Sequence, residues 1–223
     1  MAVNAALIGA RGTSATTTVT TTAGTSTGGS GSIGVLVCSF DPGTTNNTPS
    51  DSKSNTWTII GAVVTGIGKT VWYKSENWTG GASHTATMTF AANAFPTLHL
   101  IEVTGAATTT PQDINVSGVP TASPYTISSG TLAQANEVLI ASLEQNVGSA
   151  GNYSSSNFTI LSDEPDVVNF WTSGVGKLVV ASTSSVTPSF TRANSTNGNS
   201  GMRVVSFKEA GGAPDTLVGQ ACL

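Results

Sequence analysis

Charge is what this chain most lacks. Asp, Glu, Lys and Arg make up only 9% of its 223 residues, against about a quarter in ordinary soluble domains. Eight basic and 12 acidic side chains leave a formal net charge of -4, with no Lys/Arg cluster anywhere. Nucleic acid is therefore not an expected partner, because binding to its phosphate backbone needs clustered cations. Weak charge also means weak long-range steering and little repulsion between copies. Contacts must rest on shape, hydrogen bonds and apolar area, which suits a protein that works inside an assembly.

Other shortages narrow the field further. There are 2 cysteines, Cys38 and Cys222, too few for a disulfide framework, and both are expected as free thiols. His84 and His99 are the only histidines, and neither stands at metal-ligand spacing from Cys, Asp or Glu. No apolar run is long enough to cross a membrane, and Met1–Gly12 lacks the continuous apolar segment of a signal peptide. Export by a classical route is not expected. No stretch of about 12 residues keeps a helical period.

What the chain has is a series of strand-length runs separated by Gly, Asn, Pro and Ser. Ile33–Phe40, Thr56–Ile60, Lys69–Tyr73, His84–Phe90 and Phe95–Val103 are each 5 to 9 residues long. The order then recurs. Glu137–Leu143 answers Gly34–Phe40, and Phe158–Leu161 answers Trp57–Ile60. Gly176–Val180 answers Gly68–Trp72, Val186–Thr191 answers Thr85–Phe90, and Met202–Phe207 answers Thr97–Glu102. The offsets stay between 101 and 108 residues, the mark of an internal duplication.

So many strands must bury their apolar faces against other sheets. The expected fold is all-β: an antiparallel β-sandwich with jelly-roll-like connections, built from two similar halves at about 15–106 and 109–209. One sandwich over residues 32–209 is favoured over two in tandem, because each half alone is light in large apolar groups. Residues 1–31 are rich in Thr, Ser and Gly. They are read as a first strand, or an arm reaching a neighbour's sheet, followed by a linker. Residues 210–223 are read as a surface tail.

Candidate chemistry is sparse. No Gly-x-Ser-x-Gly elbow occurs, and both histidines are expected to be structural or at the surface. Among the carboxylates, Glu102 and Glu144 end apolar strands and are the least ordinary. A glycosidase-type pair is not favoured. Asp163, Glu164 and Asp166 form the densest acidic group but lack a Ca2+-loop pattern. A solvated turn is the simpler reading. No catalytic, metal or cofactor site is therefore assigned. Of the four tryptophans, Trp57 and Trp72 are expected in the core. Trp78 and Trp171, beside turns, are expected at the surface as interface anchors or sugar-stacking faces.

Ser54–Ile60, Val71–Asn77, Thr85–Phe90 and Leu100–Gly105, with Ala135–Ala141 and Arg203–Lys208, resemble a group of β-sandwich proteins of tailed phages and bacterial surfaces. The likeness spans roughly residues 15–209. It implies a non-enzymatic, adhesive role: a capsid decoration, head-fibre or tail-associated subunit, located in the virion and assembled in the host cytoplasm. The implied partners are a major capsid or other virion protein and further copies of the chain. A host-attachment or carbohydrate-binding module, with a surface glycan as ligand, is the alternative. Neither nucleic acid nor membrane is implied.

Overall fold

The structure, a computed structural model, describes residues 2–146, 153–165, 171–192, 198 and 200–211. Short runs of β-branched and apolar residues, broken by turn formers, favour strands over helices. Every regular element among the described residues is a strand. The first half supplies β1 (Asn4–Gly12), β2 (Thr16–Thr20), β3 (Gly24–Ser26), β4 (Ile33–Phe40), β5 (Ser50–Asp51) and β6 (Thr58–Ile59). It continues with β7 (Val64–Thr65), β8 (Lys69–Ser75), β9 (Gly81–His84), β10 (Ala86–Ala94) and β11 (Thr97–Thr104). The second half supplies β12 (Gln112–Gly118), β13 (Tyr125–Thr126), β14 (Glu137–Asn146) and β15 (Tyr153–Ser155), then β16 (Thr159–Pro165), β17 (Trp171–Val180), β18 (Ser189–Arg192) and β19 (Met202–Lys208).

Both halves follow one plan, and all pairings are antiparallel. The first large sheet runs β1-β11-β4-β8-β6, with β7 also on β8, and the second runs β12-β19-β14-β17-β16. The small sheets β2-β10-β5 and β13-β18-β15 correspond in the same way. Only the β3-β9 ladder lacks a counterpart among the described residues. The order of the repeat is as expected, but its register differs in three places. Leu98 pairs with Cys38 as Val204 pairs with Ala141, so β11 and β19 match at 106 residues rather than 105. Lys69 pairs with Phe40 as Gly174 pairs with Leu143, so β8 and β17 match at 105 rather than 108. Phe190, opposite Tyr125, takes the place of Met88, opposite Val19. The expected alignments put these side chains on the wrong face, because the side-chain period of a strand is two.

The first-strand reading holds for the N-terminal segment, and two segments read as linker and turn are also part of the sheets. Residues 4–12 and 16–20 pair with β11 and β10 of the same chain, so the N-terminal segment acts as strand rather than arm. The presumed linker after it holds β3. The acidic stretch from Ser162 begins within β16, and β17 starts at Trp171.

Alternation along β4 sends Ile33, Val35 and Val37 to one face and Leu36, Cys38 and Phe40 to the other. The first group joins Trp72, Ile101 and Val103 with Val138, Ile140, Val175, Val205 and Phe207 in one cluster shared by both large sheets. The opposite faces cover their own small sheets, with Met88 and Phe90 in the first half and Tyr125 and Phe190 in the second. β1 lies against β16, and β11 against β17. At the other margin Gly61, between β6 and β7, abuts Asn115 of β12 and Arg203 of β19. At both margins a strand therefore lies against the counterpart of the strand at the opposite margin, as in an isologous pair.

Phe207 is fully buried where the halves meet. Phe207→Ala is expected to cost about 3–5 kcal/mol, measured by urea unfolding with probes in each half. Both probes should shift together; loss confined to residues 112–208 would contradict a shared core.

Candidate functional site

The unduplicated ladder gathers the most chemically suggestive side chains. β3 brings Ser26, β9 brings His84 and β5 brings Asp51. Gly24 pairs with His84, Ser26 with Gly81, and Asp51 with Ala86, so the three segments converge. His84 Nε2 lies 3.2 Å from Asp51 Oδ1, and Ser26 Oγ lies 2.7 Å from His84 Nδ1. A carboxylate only accepts, so Nε2 carries the proton and Nδ1 accepts from the serine hydroxyl. Burial holds the His84 pKa below its ordinary value, outweighing the pull of Asp51, which keeps the ring neutral near pH 7.

Asp51 is the hub. Its Oδ1 also accepts from Lys53 N (2.7 Å) and Asn55 Nδ2 (3.1 Å). Its Oδ2 accepts from Asn55 N (3.1 Å) and Trp57 Nε1 (2.8 Å). Trp78 stacks on His84 at 4.4 Å with 9° between planes, and Trp57 meets Trp78 edge-on at 5.5 Å. The Trp78 ring lies directly on Gly34, where any Cβ would collide with it. Beside this network Glu102 accepts from Thr27 N (2.7 Å) and Gly28 N (2.6 Å). Gly28, Gly29 and Gly31, at φ of 69°, 98° and 76°, then carry the loop over it.

This is a Ser-His-Asp set, but it faces inward. Ser26 is 3% exposed, and the His84 and Asp51 side chains are 0% exposed. Serine sits on Nδ1 and aspartate on Nε2, the reverse of a hydrolase triad. Gly81 N donates to the same Ser26 oxygen at 3.2 Å. The arrangement pins residues 26–28 to residues 81–84 from beneath. Above it, three adjoining hollows of about 140, 230 and 410 Å³ share Ser30 in their walls. Asn77, Thr79 and Thr108 contribute to them.

No family model, curated protein or solved structure matches the chain. The site must be read from its own geometry.

Trp78 and Trp171 are not surface residues. They are 1% and 4% exposed, because glycines at 34 and 68 leave room for their rings inside. Neither presents a stacking face. Trp57 and Trp72 are buried as expected. Asp163 accepts from Tyr153 N at 2.9 Å, while Asp166 and Cys222 lie outside the described residues. Cys38 is a free, buried thiol whose pKa burial raises. Among the described residues no three His, Cys, Asp or Glu converge as metal ligands, and no helix is long and apolar enough to cross a membrane.

A second polar group lies at the seam between the large sheets. The Ser173 hydroxyl is 2.6 Å from His99 Nε2 and 2.6 Å from Thr97 Oγ1. Trp72 Nε1 donates to Ser142 Oγ at 3.2 Å, and the Ser39 and Thr70 hydroxyls are 3.0 Å apart. Glu144, on the same face of β14 as Ser142, is fully buried. Sequence reasoning singled out Glu102 and Glu144 but missed Asp51, Ser26 and Ser173. A short polar residue inside a Ser/Thr-rich stretch carries no signal of its partner.

Asp51→Ala leaves five donors without their acceptor and is expected to destabilise the chain by about 3–5 kcal/mol. Chemical denaturation measures the loss, and faster amide exchange at Gly81 localises it. An effect below about 1 kcal/mol contradicts the lock. His99 is held neutral by burial, its pKa lowered from 6.5 to about 3. Its depressed value means that stability present above pH 6.5 is lost as the pH falls toward 3. His99→Gln should flatten that acid-side slope in thermal melts.

Proposed function

We propose that the chain is a structural, adhesive subunit of a virion shell, a capsid decoration or head-fibre protein acting through protein–protein contact. The single observation that carries this reading is the pinned loop surface around Ser30. Its hollows are walled mainly by Ser, Thr, Asn, Gly and Ala, with one carboxylate, Glu76, in the smallest and already paired with Lys74, and the Ser-His-Asp set is turned beneath it. Such a surface holds a partner by shape and hydrogen bonds rather than by charge, as the composition requires. The finer architecture we infer is one antiparallel β-sandwich with jelly-roll-like connections, its two similar halves joined through their large sheets. Rigid loops on such a body lose little freedom on docking, which favours tight contact. Clustering of copies would add avidity.

A glycan-binding, host-attachment role is the second reading. It is supported by the 410 Å³ hollow, lined by Ser30, Asn77 and Thr79, which could bind hydroxyls by hydrogen bonds but not by stacking.

Ser30→Arg places a bulky cation in all three hollows while leaving the buried lock intact. It is expected to weaken binding to the protein's own particles about tenfold or more, with melting temperature unchanged. Co-sedimentation with purified particles measures this. Particles that contain no stoichiometric amount of the chain would contradict the virion assignment, and selective binding on a glycan array would favour the second reading.

A further inference from the structure

The seam between the halves is apolar along most of its length and polar at one end. There the Glu144 carboxyl enters a slot made by two glycines, one from each half. Gly68 belongs to the turn before β8, and Gly201 precedes β19. A Cβ at Gly201 would stand 2.8 Å from Oε2, and one at Gly68 would strike Oε1 and the Trp171 ring. Gly201 N donates to Oε2 at 3.2 Å, and the Glu144 amide donates back to the Gly201 carbonyl at 2.8 Å. The slot therefore has room for a carboxyl and nothing larger, and the carboxyl touches both halves at once.

We propose that this end of the seam is a proton-controlled joint, closed while the Glu144 carboxyl is neutral and parted when it ionises. Among the described residues no cation bonds to it; Arg192 of β18 stands over the Tyr153 ring, 5.8 Å from its centre, with Asp163 of β16 nearby. His99 of β11 is neutral, and Tyr153 of β15 keeps its hydroxyl on Thr172 at 2.8 Å. Arg203 of β19 is bound to Asn115 Oδ1 and the Ala62 carbonyl, and Lys69 of β8 to the Thr44 carbonyl. β4 contributes Ser39, and β17 contributes Ser173 and the Trp171 ring, none of them charged. An ionised carboxylate in this slot must draw in water, and water enters only if the sheets separate there.

Burial raises the Glu144 pKa from 4.5 to about 8, against the smaller opposing pull of the Gly201 and Gly68 amides. A raised acid pKa stabilises the closed form fully below pH 4.5, and that contribution is lost as the pH climbs through about 8. Opening is therefore placed at mildly alkaline pH.

The full chain is titrated from pH 6 to about 9.5, the range that brackets the raised carboxyl pKa, by tryptophan emission and amide exchange. Trp171 borders the slot at Gly68, and Trp72 donates to Ser142, two residues from Glu144 on the same strand face. A reversible red shift is expected, with protection at Gly201 and Trp72 falling roughly tenfold per pH unit from pH 6 up to about 8 and levelling off above it. Glu144→Gln, neutral at every pH, should remove both changes. The proposal is overturned if the wild type shows no transition to pH 9.5, or if the Gln variant shows the same one. Should the variant fail to fold, carbon NMR of the wild-type Glu144 carboxyl replaces it. Co-titration with the Gly201 amide supports the joint, and a Gly201 amide indifferent to pH overturns it.

Discussion

Two large sheets cover each other, and the rest of the molecule depends on that contact. Val35, Val37 and Trp72 on one side and Val138, Ile140 and Phe207 on the other are buried only because both sheets are present. Each half alone would leave one broad apolar face to water. Each small sheet then closes the remaining face of its own large sheet. Burial on both faces explains why the central strands read as nearly continuous apolar runs rather than alternating ones.

The same contact gives the polar residues their meaning. In a chain with so few charges, each buried acid or histidine needs a specific reason to be tolerated. Asp51 is held by five donors and ties three segments together. Glu102 closes the glycine loop. Glu144 fills a slot between the halves. These groups act where backbone must be fixed without secondary structure, and the regular strands need no such help. The duplication is broken at the β3-β9 ladder, and the densest of these networks sits there. Departure from an internal repeat is where a chain's particular role is best sought.

Much of this was legible in the residues, and the failures have physical causes. The faces of β8 and β10 follow directly from alternation: Val71 and Tyr73 against Trp72, and Ala86, Met88 and Phe90 against threonines. The strand order of the second half followed from the first. Register did not, because Val and Gly strings such as Trp171–Val180 are buried along most of their length and carry no marker of face. Trp78 looked exposed because a turn surrounds it; the missing Cβ at Gly34, forty-odd residues earlier, is what lets it inside. The hub role of Asp51 was invisible because three of its five donors come from Lys53 and Asn55, in a stretch of loop composition, and the other two, Trp57 and His84, stand in separate strand-length runs. A long-range polar network leaves no periodic trace.

The neutral surface and the inward chemistry both follow from a chain whose parts are committed to holding one another. Native-state amide exchange tests that most directly. If the halves depend on each other, the slowest amides of β4 and β11 and those of β14 and β19 should exchange through one global opening of equal free energy. A distinctly lower opening free energy for one half, with the other still protected, would show two independent bodies and contradict the account.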